Sequence, residues 1–261
     1  MKFHDMMCLE PHGPDTFVAT GPRYPWGGLY GGQIVAQALR AAMHTVEPAF
    51  VLHSLHAFFI RLGDAREPIR LEVDRIRNGR SFLTRRVVAR QSGGAILNMA
   101  ASFQIPEEGP EIQTRIMPTV PAPETLTFEN WSRVVRRAFV NDPALPATGW
   151  MKIDEPLGDD PALNACGLAY LSDDLPTDAV VARHPDRAPT ESGERRLWNA
   201  SLDHAIWFHH PPRADDFLLF SFDCHGFISS RGLSIGAVFD RGGRHLATVA
   251  QEVLTRVRRD V

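Results

Sequence analysis

Cysteine is scarce in this chain. Cys8, Cys166 and Cys224 are the only three among 261 residues. An odd number of distant thiols supplies neither a disulfide framework nor a Cys-x-x-Cys metal pattern, so a reducing, cytoplasmic setting is the simpler expectation. An excess of one charge is also missing. Lys and Arg number 28 against 31 Asp and Glu, a net charge of -3, which gives no strong field for nucleic acid or an anionic membrane surface. No apolar run is long enough to span a bilayer, so no stable membrane association is expected. Residues 1–17 mix His, Asp, Glu and Pro and lack the apolar centre of a signal peptide. Arg259-Asp260-Val261 does not read as a peroxisomal address. What remains is the composition of a globular protein, 44% hydrophobic and 23% charged, long enough for one large domain or two ordinary ones.

The same layout is present twice. In the first half Ile34, Val35, Ala38, Leu39 and Ala42 fall on one face of a predicted helix, behind Gly27, Gly28, Gly31 and Gly32. Four strand-like stretches follow, at about 50–60, 69–77, 81–90 and 95–104, with Asn78-Gly79 as a hairpin signal. In the second half Asp160-Pro161 starts a predicted helix over 161–171. Four more strand-like stretches follow, at about 197–209, 217–225, 233–240 and 245–257. Each half carries a His-Ala step on a long aromatic strand (His56-Ala57, His204-Ala205), a Gly-Gly turn and a last strand bearing Gln. The expected fold class is α+β, with two copies of one unit in tandem. The predicted division is 1–110 for the first unit, 111–145 for a proline-rich linker with a short helix over 128–140, and 146–261 for the second unit.

Several stretches together resemble the acyl-CoA thioesterase II (TesB-type) family. They are Leu29-Tyr30-Gly31-Gly32-Gln33-Ile34-Val35-Ala36-Gln37-Ala38-Leu39, His53-Ser54-Leu55-His56, Asn78-Gly79-Arg80-Ser81-Phe82, Ala101-Ser102-Phe103-Gln104, Ser201-Leu202-Asp203-His204-Ala205 and Val249-Ala250-Gln251-Glu252. Their order across both halves makes the match specific. The resemblance implies a double hotdog, in which each half is a long helix wrapped by an antiparallel sheet and the two sheets join. It also implies hydrolysis of acyl-CoA thioesters by an activated water, with no metal and no cofactor. Carried over position by position, it implies Asp173, Ser201 and Gln251 as the catalytic residues. The family's residue at position 201 is Thr. Ser keeps the hydroxyl but loses the β-branch that stiffens its rotamer, so looser water positioning and lower activity are expected. Asp174 leaves a one-residue ambiguity about the acid.

Carboxylate, hydroxyl and carboxamide together can hold one water from three directions, with the carboxylate as base. Asp173 lies toward a helix C-terminus beside Asp174, and both the dipole and the like charge disfavour its ionisation. Gln251 stands out on physical grounds, because a carboxamide in an apolar strand needs partners. Gln104, its counterpart, reads as structural, since the first half offers no matching Asp. Phe58, Phe59, Trp207 and Phe208 are the candidate walls of an acyl tunnel. The histidines lie on aromatic strands without the ligand spacing of a zinc site. Gly232-Leu233-Ser234-Ile235-Gly236 fits a serine-hydrolase pattern but lacks the strand–turn–helix context it needs. The rival functions are a non-catalytic acyl-CoA or lipid-binding double hotdog and a hydratase or dehydratase on the same fold. The expected partners are the acyl-CoA substrate and further copies of the chain, as a homodimer or larger assembly.

Overall fold

A computed structural model of the chain describes residues 1–189 and 196–258. The C-terminal tripeptide and the end of the loop before position 196 therefore lie outside the described residues. A short helix α1 (Phe3–Met7) and strands β1 (Glu10–Pro11) and β2 (Thr16–Ala19) open the chain. Helix α2 (Gly31–Met43) and strands β3 (Val51–Phe59), β4 (Ile69–Asn78), β5 (Phe82–Gln91) and β6 (Gly94–Gln104) make the first unit. After β7 (Val135–Phe139) and β8 (Ala147–Ile153) come helices α3 (Pro161–Leu171) and α4 (Pro176–Arg183). Strands β9 (Leu197–Ser201), β10 (Asp203–Phe208), β11 (Leu218–Ile228), β12 (Arg231–Phe239) and β13 (His245–Val257) complete the second unit.

All strands join one antiparallel sheet in the order β1-β2-β4-β5-β6-β3-β10-β13-β12-β11-β8-β7, with β9 also on β13. The order reads alike in both directions from the β3–β10 seam: β6 answers β13, β5 answers β12 and β4 answers β11. At the seam His204 faces Ala57 and Ala205 faces His56. This is the double-hotdog arrangement expected above. The sheet wraps α2 and α3, whose buried faces belong to one core shared by both units.

The two helices run antiparallel. Gly32 at the start of α2 meets Asp173 just past the end of α3, and Arg40 near the end of α2 reaches Asp160, the N-cap of α3, at 3.7 Å. Asp160 caps as predicted, accepting from the N–H groups of Ala162 and Leu163. At the far end of α2 the fully buried Arg85 donates to the Thr45 carbonyl and hydroxyl, a cation placed where the helix dipole favours one.

Three sequence expectations need correction. No helix covers 128–140; Val135–Phe139 is a strand paired with β8, whose Val135 and Ala138 are buried while Arg136 points outward. The helix predicted over 161–171 is followed by a second one that was not predicted, α4, with Pro176 in its first turn, where its missing N–H costs nothing. The stretch 197–209 is not one strand. It breaks at Leu202, and that break shapes the site.

Candidate active site

Ser201 and His204 lie three residues apart, so an unbroken strand would send them to opposite faces of the sheet. Strand β13 pairs with both pieces, but Ser201 faces Val253 while Ala205 faces Ala250, a one-residue slip. The bulge is fixed by its own residues. The Leu202 N–H donates to the Glu252 carbonyl at 2.9 Å, and the Asp203 carboxylate accepts from the Glu252 N–H at 2.6 Å. As a result Ser201 and His204 both turn inward, onto the face where Gln251 is fully buried. Bulges commonly re-aim side chains beside active sites.

On that face a directional chain of hydrogen bonds forms. Gln251 Nε2 donates to Ser201 Oγ at 2.8 Å. With the Gln251 amide oxygen toward Nδ1 of His204, the ring proton sits on Nδ1 and donates to it. Ser172 Oγ lies 2.8 Å from His204 Nε2 and also donates to the Ala169 carbonyl at 3.0 Å, so its one proton is shared between the two acceptors. His204 is fully buried, and desolvation pushes its pKa down to about 4, so the ring stays neutral. Held by Gln251 as acceptor, Ser201 keeps its own proton to donate elsewhere, and it lies near enough to Asp173 to favour that carboxylate's charged form.

Asp173 arrives from the other side, one residue beyond Ser172 at the end of α3. Its Oδ2 accepts from the Gly32 N–H at 2.8 Å. The approach demands glycine: a Cβ at Gly31 would lie 2.6 Å from Asp173 Oδ2, and one at Gly32 would lie 2.3 Å from the Tyr170 carbonyl. Gly31 and Gly32, the first residues of α2, therefore serve close helix contact, whereas a Cβ at Gly27 would meet nothing and one at Gly28 would meet only the Leu62 side chain. Asp173 Oδ1 is buried without a partner. Burial, the largest influence, pushes the Asp173 pKa up to about 7; the Asp174 charge adds to this, while the Gly32 N–H and the side chains of Gln251 and Ser201 favour the charged form. Desolvation thus outranks the helix-end and like-charge effects invoked from sequence.

Asp174 has a different role. Arg137 Nη1 donates to both its oxygens at 2.7 and 2.9 Å, and Trp131 Nε1 donates to Oδ1 at 3.0 Å. Both of its oxygens are engaged, by Arg137 on β7 and by Trp131 just before that strand. Only Asp173 retains an open oxygen.

The structure gathers Asp173, Ser201 and Gln251 at one place, with Phe59 alongside: its ring edge is 3.0 Å from where a Gly31 Cβ would sit. It does not bring the other three aromatics there. Phe58 and Trp207 point to the outer face of the sheet, 59% and 38% exposed, with Trp207 edge-on to His56. Phe208 lines an apolar cavity of about 410 Å³ with Met43, Val46, Phe103 and Ala165, at the opposite end of α2. Gln104 ends β6 between Val51 and Phe82, in a part of the sheet with no aspartate facing it. Ser234 lies within β12, paired on both sides, so no nucleophile elbow exists. The contribution missed from sequence is the His204–Ser172 pair. A histidine three residues past a candidate hydroxyl signals it only once the bulge is known.

The comparisons agree across both halves. A family model described as the acyl-CoA thioesterase N-terminal domain matches residues 20–104, and one described as the C-terminal domain matches 106–255. The chain belongs to the TesB-type acyl-CoA thioesterase family. Among the relatives of this thioesterase, acyl-CoA thioesterase 2 of Haemophilus influenzae is 35% identical, with 87% of each chain covered. Human acyl-coenzyme A thioesterase 8 is 31% identical over 98% of this chain and 89% of its own. The crystal structure of the acyl-CoA thioesterase II TesB2 from Mycobacterium marinum superposes with a TM-score of 0.83 at 34% identity, covering 99% and 98%.

Proposed function

We propose that this acyl-CoA thioesterase hydrolyses its substrate with a water held between Asp173, Ser201 and Gln251. The observation that carries the reading is the unpartnered, buried Asp173 Oδ1 beside a serine whose proton is left free by the Gln251–His204 chain. The ionised Asp173 takes a proton from the water as its oxygen attacks the thioester carbonyl. The second N–H of Gln251 and the hydroxyl of Ser201 orient that water. When the tetrahedral intermediate collapses, the carbon–sulfur bond breaks, Asp173 returns the proton to the leaving thiolate, and free acid and coenzyme A depart. No helix among the described residues is long and apolar enough to cross a membrane, and three separate thiols suit a reducing cytoplasm.

Phe59 flanks the reacting carbonyl in this reading. The Phe208 cavity lies about 16 Å farther along α2, from the rise over the eleven steps from Gly32 to Met43, so only the end of a long acyl chain reaches it. The exposed Phe58 and Trp207 on the outer face suit association with a second copy, which sedimentation of a Trp207→Lys variant checks.

The test of the chemistry is thiol release from short-, medium- and long-chain acyl-CoAs by native protein, Asp173→Asn and Asp174→Asn. Loss in the first variant with retention in a folded second supports the assignment. Full hydrolysis by Asp173→Asn refutes it. Binding of acyl-CoA by the native protein without thiol release would leave only a carrier.

A further inference from the structure

Five buried side-chain atoms lack a partner among the described residues: Arg40 Nε, Asp173 Oδ1, Asn199 Oδ1, Ser234 Oγ and Thr255 Oγ1. Two of them form a pair. Asn199 on β9 lies directly opposite Thr255 on β13, and cross-strand partners have Cβ atoms about 5 Å apart. Thr255 shares the inner face with Gln251 and is 2% exposed. Asn199 shares that face with Ser201, two residues away. Buried polar atoms are normally served, so an adjacent orphaned carbonyl and hydroxyl mark a place where something else serves them.

The position narrows what that is. Two residues of strand separate Asn199 from Ser201 by about 6.7 Å. In a coenzyme A thioester the sulfur and two methylenes place the nearest amide nitrogen about 5–6 Å from the reacting carbonyl carbon, by ordinary bond lengths. An amide offers one N–H and one C=O, the complement of an unserved Asn carbonyl and a Thr hydroxyl. The direction also fits. Beyond Thr255 the strand runs out to Val257, which is 48% exposed, so the row, lying under α4 whose Val180 packs on Gly232 opposite Val253, ends at the surface where a nucleotide end can remain. Ser234 lies in the other direction, opposite Gln251.

We propose that Asn199 and Thr255 bind the cysteamine amide of the substrate's pantetheine arm. Asn199 Oδ1 accepts from the amide N–H and the Thr255 hydroxyl donates to the amide carbonyl. The pair thereby selects thioesters that carry an amide at this spacing and fixes the reacting carbonyl beside Asp173. This assignment rests on the hydrolytic reading above.

Hexanoyl thioesters of N-acetylcysteamine and of propanethiol provide the test, since they share the acyl group and only the first has the amide. Thr255→Val and Asn199→Leu should each lower kcat/KM for the N-acetylcysteamine thioester by about tenfold, the loss of one good hydrogen bond. The propyl thioester should be hydrolysed as by native protein, which also shows that each variant is folded. Equal loss on both substrates, or loss on neither, overturns the amide subsite while leaving the catalytic assignment standing. Full activity of Asp173→Asn on both removes the catalytic assignment and the subsite with it.

Discussion

Replacing Asp173 by Asn should abolish hydrolysis and stabilise the protein, the second effect growing as pH rises from about 4 and complete above about 7. The carboxyl titrates at about 7 rather than its ordinary 3.8. That is about three units, and at about 1.4 kcal/mol per unit the ionised form costs the fold up to about 4 kcal/mol. The sign follows from the raised value. Between pH 4 and 7 the folded chain holds a proton that the unfolded chain has released, so this group's contribution is fully present below about 4 and is lost as pH rises through about 7. Asn is neutral throughout and close in shape, and its oxygen can still accept from Gly32. Relaxation around the charge delivers about half the bound, so the melting temperature of the variant at pH 8 should exceed the native value by several degrees. At pH 4 the two should coincide. In parallel, native kcat/KM should rise with pH through an ionisation near 7. A variant that loses stability equally at both pH values, or a native profile flat from pH 6 to 8, would show that burial does not tune this carboxyl as argued.

His204→Phe keeps the ring but removes both hydrogen bonds, so kcat should fall roughly tenfold or more with KM nearly unchanged, because only the orientation of Gln251 and Ser201 is lost; steady-state kinetics decides. Arg137→Met leaves Asp174 buried without its cation and should cost about 3–5 kcal/mol by urea unfolding, with the added change Asp174→Asn restoring much of it. Ala165→Phe projects into the Phe208 cavity and should cut kcat/KM for palmitoyl-CoA tenfold or more while sparing hexanoyl-CoA, and equal effects on both would place the tail elsewhere.

Much of the architecture was legible because it rests on local signals. Ile34, Val35, Ala38 and Leu39 gave α2 its apolar face, Asp160-Pro161 marked the start of α3, and Asn78-Gly79 marked a hairpin. Where two residues carry two meanings, the reading failed. Pro176 stops one helix and starts another equally well. Val135 to Phe139 forms a strand because β8 offers it an edge, and no property of those five residues alone requires that. The site showed the same division. Asp173 and Gln251 could be named from resemblance and, for Gln251, from its oddness in an apolar strand. The inward turn of both Ser201 and His204 could not, since it depends on a one-residue slip against β13 held by Asp203. Nor could the distinction between Asp173 and Asp174, which is made by Arg137 and Trp131 about 40 positions earlier in the chain. Phe58 and Phe59 looked equivalent in sequence, and the pleat sent them to opposite faces.

The Gly32–Asp173 contact joins the first unit's helix to the second unit's acid. Two identical units pairing by a twofold axis would make that contact twice, and any substitution would be felt at both. Tying the units into one chain removes this obligation. Here the helix of the first unit supplies an N–H to Asp173 of the second, while Ala100, not a glutamine, lies opposite His56 where Gln251 stands beside His204. In the proposed mechanism the molecule keeps the outline of a symmetric dimer but splits its two ends, one holding the reacting water and the other, lined by Met43, Phe103, Ala165 and Phe208, left to shape the space for the acyl tail.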